Sequence, residues 1–94
     1  MEKINIDTDK IKECGRDIAN LSVELNTKID ELFDELFNVK NKNIWLGKSA
    51  DEFIISCKTE KKQYKHLVNS LYNEGKFLYN TAQSFENAAN KLKD

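Results

Sequence analysis

Apolar residues recur through the first part of the chain at Ile11, Cys14, Ile18, Leu21, Leu25, Ile29, Leu32 and Leu36. Steps of three and four place all of them on one side of a helix. Phe33 and Phe37 widen the stripe near its end. Asp7 suits the N-cap, and Ile6 and Ile11 then take the two positions of a hydrophobic staple. After a polar interval the period resumes at Ala50, Phe53, Cys57, Tyr64, Leu67, Leu71, Leu78, Ala82, Phe85, Ala89 and Leu92. Ile54, Val68, Tyr72 and Tyr79 broaden this second stripe. Ser49 with Glu52 three residues on reads as a capping box that opens the second helix. The pattern predicts an all-α fold in a single domain: helix 1 over about 8–40, a turn over about 41–48 and helix 2 over about 49–92. A connection this short joins antiparallel neighbours, so the chain reads as a two-helix hairpin.

A two-helix hairpin needs only one narrow seam per helix. The expected core and pairing stripe, Ile18, Leu21, Leu25, Leu32 and Leu36 with Phe53, Tyr64, Leu71 and Leu78, is wider than that. The surplus suits a second hairpin, and pairing would give a four-helix bundle dimer. Size points the same way. A chain of 94 residues buries only a little over roughly 60% of its unfolded surface, so a monomer would be marginal.

Charge adds one feature. Residues 1–37 hold ten acids and five bases, and residues 38–94 hold six acids and ten bases, giving −5 and +4. The halves are matched for packing within a hairpin or across a dimer. Each exposed pair contributes roughly 0–1 kcal/mol. The overall charge of −1 carries no sign of nucleic-acid binding. The sequence has no run of about 18 apolar residues, the length a membrane-spanning helix needs, so no stable membrane insertion is expected. The segment Met1 to Asp7 lacks the apolar run of a signal peptide.

Little chemistry is on offer. Cys14 and Cys57 both fall on the apolar stripes, where free cysteines are commonly buried. In a hairpin they differ in height by roughly 28 Å, against under about 7 Å between Cα atoms for a disulfide. Buried thiols, or a bridge between chains of an antiparallel dimer, remain. His66 has no cysteine at ligand spacing and reads as a solvated helix residue. Lys58, Lys61, Lys62 and Lys65 lie at the height of Asp30, Glu31, Asp34 and Glu35, and read as a solvated or neutralised face. No phosphate-binding glycine loop, nucleophile–base arrangement or inward carboxylate pair stands out, so no enzyme activity, cofactor or metal is expected. Gly15 and Gly75 each lie 30 residues from Trp45 and should share one level of the hairpin. They mark a close backbone approach, within the hairpin or to a partner, or else glycines tolerated on solvated faces at roughly 1 kcal/mol each.

The turn holds Trp45-Leu46-Gly47, with the only tryptophan and one of three glycines, in a chain without proline. Trp45 suits an apolar plug, and Gly47 suits a positive φ before the next helix. Trp45-x-Gly47 followed by Ala50 and Phe53, at the centre of two amphipathic helices in about one hundred residues, resembles the WXG100 (ESAT-6-like) family. The likeness covers essentially the whole chain. It implies helical hairpins that pair as homodimers or heterodimers, and export by a type VII (Ess/ESX) secretion system without a cleaved signal peptide. It also implies a composite signal read by the secretion ATPase. In that signal the turn, here Trp45 and Gly47, lies near the partner's C-terminal end, where a tyrosine is followed four residues later by an acid. In this chain Phe85 and Tyr79 are the candidate aromatics, Ala89 and Gln83 stand four residues beyond them, and Glu86 is the neighbouring acid. The expected function is that of a small secreted hairpin protein acting through dimerisation and protein binding. The alternative is a targeting chaperone that pairs with the helical N-terminal domain of a larger secreted toxin. A cytosolic coiled-coil module is the third reading.

Overall fold

The Asp7 carboxylate accepts a hydrogen bond from the Lys10 amide at 3.1 Å, which caps the first helix. With no proline to interrupt it, this helix, α1, runs over Thr8–Asn41. Its end is built from backbone. The Lys42 amide bonds the Asn38 carbonyl, and Asn43 sits at φ 57°, a left-handed conformation that asparagine tolerates. The chain then folds back so that the amides of Ile44 and Trp45 both reach the Val39 carbonyl at 2.9 Å. Gly47, at φ 105°, redirects the chain into α2, Lys48–Lys93. The Asp51 amide bonds the Gly47 carbonyl at 3.1 Å, so glycine occupies the capping position. Ser49 therefore lies inside the first turn and makes no capping bond to Glu52. A glycine free to take a positive φ starts the helix before the serine can.

The computed structural model describes residues 6–93. Among them there is no strand, and the fold is an all-α antiparallel hairpin measuring 71 × 21 × 20 Å. Among the described residues no helix is long and apolar enough to cross a membrane.

The seam between the helices changes character along its length. From the turn to mid-length it is filled by large side chains: Ile29, Phe33, Cys57 and Val68 are buried, with Leu36, Phe37 and Phe53 packed against them. Phe33, 2% exposed, has Tyr64 and Phe37 at ring-centroid distances of 5.9 and 6.2 Å. Toward the open end the seam is lined by Gly15, Ser22, Gly75 and Ala82. The two glycines meet there: a Cβ built on Gly15 would stand 2.6 Å from the Gly75 carbonyl oxygen, and one on Gly75 would stand 2.7 Å from that of Gly15. Their shared level is therefore a close backbone approach within the hairpin. Buried Ser22 satisfies its hydroxyl by donating to the Ile18 carbonyl at 2.7 Å.

Ion pairs stitch one margin of the seam. Asp30 accepts from Lys65 at 2.6 Å and lies 3.5 Å from Lys61, and Lys65 also donates to the Asn26 side chain at 2.7 Å. Lys40 pairs with Asp51 beside the turn, and Lys12 with Glu86 near the open end. Of the acidic cluster on α1, Asp30 engages the lysines of α2 directly.

Candidate binding face and turn

On α1 the buried positions Ser22, Ile29 and Phe33 define the seam. Leu21 and Leu32 each precede one of them by a single residue, a rotation of about 100° around the helix. They consequently emerge on one side of the seam, 61% and 60% exposed, with Leu25 beside them. On α2, Tyr64 and Leu67 face out along the same margin, and Phe85 continues it toward the open end. Between Leu25 and Leu32 on one helix and Tyr64 and Leu67 on the other runs an apolar groove of about 430 Å³. The predicted stripe thus divides. Ile18, Leu36, Phe53, Leu71 and Leu78 are half-buried, while Leu21, Leu25, Leu32 and Tyr64 are exposed. The hairpin core uses Ile29, Phe33 and Val68 instead.

Trp45 lies 5.3 Å from Phe53 between ring centroids and remains 41% exposed. Gly47 has open space around it, so its backbone conformation, not crowding, demands glycine. The candidate C-terminal residues lie roughly 50–60 Å away, between about 34 and 41 residues along the same helix. Glu86 there is half-buried, accepting from Lys12 at 2.6 Å and from the Thr8 hydroxyl at 2.8 Å. The Lys12 hydrogen bond, with Thr8 second, holds the Glu86 carboxyl below its ordinary range. The same contact raises Lys12. Tyr79 is half-buried, with Lys12 and Arg16 each 5.8 Å from its ring centroid. Phe85 alone of the three faces the open side. Trp45 and Gly47 are therefore not brought together with Tyr79, Phe85 and Glu86 inside one chain.

The cysteines differ from the expectation of two buried thiols. Cys57 is buried in the core, and desolvation raises its thiol pKa, whereas Cys14 is exposed. Burial of Cys57 also removes it from reach of a partner's Cys14. His66 is exposed beside Lys62. Among the described residues no three His, Cys, Asp or Glu side chains converge on a point that could hold a metal ion.

Two features were not singled out from the sequence. The Thr8–Lys12–Glu86 cluster joins residues more than seventy positions apart, and nothing local signals it. Ile44 and Leu46 are exposed at the tip, and their signal was a pair of large apolar residues in a turn with no helical period to explain them. No protein-family model, curated protein or solved structure matches the chain, so the resemblance of its turn to WXG100 proteins stands on the residues themselves.

Proposed function

We propose that this protein works by binding another helical hairpin along its open leucine face, and that it does so as a small protein exported by a type VII secretion system. The observation that carries the binding half is the exposure of Leu21, Leu25, Leu32, Tyr64 and Leu67 on one margin of the seam. Water-exposed apolar side chains in that number on one face are the mark of a protein interface. A second copy laid antiparallel would cover them, and its turn would then approach this chain's C-terminal end. The export half rests on the likeness of Trp45-x-Gly47 to the WXG100 turn, and the secretion ATPase would be the reader.

The separation of Trp45 from Phe85 supports pairing as a condition of recognition. A composite signal of the WXG100 kind needs both elements on one surface, and only a partner can supply the second here. Glu86, held by Lys12 and Thr8, favours a second reading in which the partner is a different chain: the helical N-terminal domain of a larger secreted toxin that brings its own acid.

Light scattering on the purified protein tests the binding half. A dimer is expected, and Leu25→Asp with Leu32→Asp should give a monomer that is helical but less stable. A wild-type monomer that pairs only with a neighbour-encoded toxin domain would favour the second reading, and a monomer that pairs with neither would overturn both. Appearance of the protein in culture supernatant only when the secretion ATPase is intact tests the export half.

A further inference from the structure

At the tip of the hairpin three large apolar residues follow one another without a break. Ile44 is 70% exposed, Trp45 41% and Leu46 60%. The backbone bonds of Ile44 and Trp45 to Val39 fix this tip as a projection, not a loose loop. Around it stand Lys40, Lys42 and Lys48, with no acid between residues 38 and 50. Lys40 is paired with Asp51. Among the described residues Lys42 and Lys48 have no acidic partner within ion-pair distance, so their charges are available.

We propose that this tip docks onto an anionic lipid bilayer, with Ile44, Trp45 and Leu46 entering the headgroup region and Lys42 and Lys48 pairing with lipid phosphates. The chemistry is that of interfacial membrane contact: an apolar wedge, a tryptophan suited to the boundary layer, and a collar of cations. The tip is the end of a rod about 20 Å across. An end of that width, taken without the C-terminal segment of a paired chain, offers about half of the roughly 800 Å² per partner that a standard protein–protein interface buries. A bilayer requires no such area, because its contact is made by insertion. Docking is at the surface, since neither helix could cross the membrane. The proposal does not depend on pairing, because the tip lies at one extremity of the hairpin and the leucine face along its side; it shares Trp45 with the export reading and is tested without the secretion system.

Trp45 is the only tryptophan, so its fluorescence reports on the tip directly. The full protein is titrated with vesicles of phosphatidylcholine alone and of a phosphatidylcholine–phosphatidylglycerol mixture, whose negative surface potential attracts basic side chains. A blue shift with the anionic vesicles, diminished by added salt, is expected. Lys42→Gln and Lys48→Gln should each weaken partitioning by about fivefold. Ile44→Ser with Leu46→Ser should weaken it by at least about tenfold. All four side chains are exposed, so circular dichroism of the variants should match wild type. Absence of a blue shift, an equal response to neutral vesicles, or unchanged partitioning in the variants would overturn the proposal. Failure of the dimer in light scattering would leave this result unaffected.

Discussion

A methyl group added at Gly75 would lie 2.7 Å from the Gly15 carbonyl oxygen and 2.8 Å from the Ala19 amide nitrogen. Both are backbone atoms, and neither can yield unless the helices separate. Gly75→Ala should therefore destabilise the hairpin by about 1–3 kcal/mol, even though alanine favours an isolated helix by about 1 kcal/mol. Urea unfolding followed by circular dichroism measures the balance. Gly47 fails for a different reason. Its added methyl would meet nothing within 4 Å, yet φ 105° suits no L side chain. Gly47→Ala should cost about 1–2 kcal/mol and alter the fluorescence of nearby Trp45, since relief can come only by moving the turn. The cysteines separate by access. A thiol reagent should modify Cys14 in the folded protein and Cys57 only on unfolding, as mass spectrometry of the labelled peptides would show.

The contacts that tie α1 to α2 along the ion-paired margin make their packing sensitive to acid. Asp30 is held below its ordinary range first by its hydrogen bond to Lys65, and Glu86 first by its hydrogen bond to Lys12. A depressed carboxyl pKa means that the unfolded chain binds protons more readily, so these pairs stabilise the fold above the unfolded values near 4. That contribution is lost as pH falls through the lower, folded values. The urea midpoint should therefore drop below about pH 4, and Asp30→Asn with Glu86→Gln should flatten the drop while lowering the midpoint at neutral pH. These pairs were only partly legible in the sequence. The opposite charges of the two halves forecast attraction, but Lys12–Glu86 runs against that bias, joining a base of the acidic half to an acid of the basic half. The helices themselves were readable, because a 3.6-residue period survives without tertiary information. Their faces were harder. Leu32 and Phe33 are neighbours in one apolar run, and only the position of α2 decides that Phe33 is buried and Leu32 is not. The glycine pair was found by counting equal distances from Trp45, an inference that works because an antiparallel hairpin maps sequence distance onto height.

A rod of this shape is poorly built to stand alone. Its radius of gyration is 21.2 Å, where a globular chain of the same length has about 12 Å. It exposes 7630 Å², where a globular protein of its mass exposes about 5,600 Å². Among the described residues the large, fully buried apolar side chains lie between the turn and mid-length, while in the open half the fully buried residues are glycine, serine and alanine and Ile18, Leu71 and Leu78 are only half-covered. Covering the leucine face along the rod would remedy this at the scale of the whole molecule, and folding would then be coupled to association. For such a dimer each tenfold rise in protein concentration adds about 1.4 kcal/mol to the apparent stability. Thermal unfolding followed over a hundredfold concentration range should consequently show a midpoint that climbs with concentration. In the Leu25→Asp, Leu32→Asp variant the midpoint should be lower and independent of concentration, because both substitutions lie on the open face and leave Ile29 and Phe33 in place. A wild-type midpoint that does not move with concentration, in a transition of low cooperativity that sharpens only when a second helical protein is added, would identify that second protein as the natural occupant of the face.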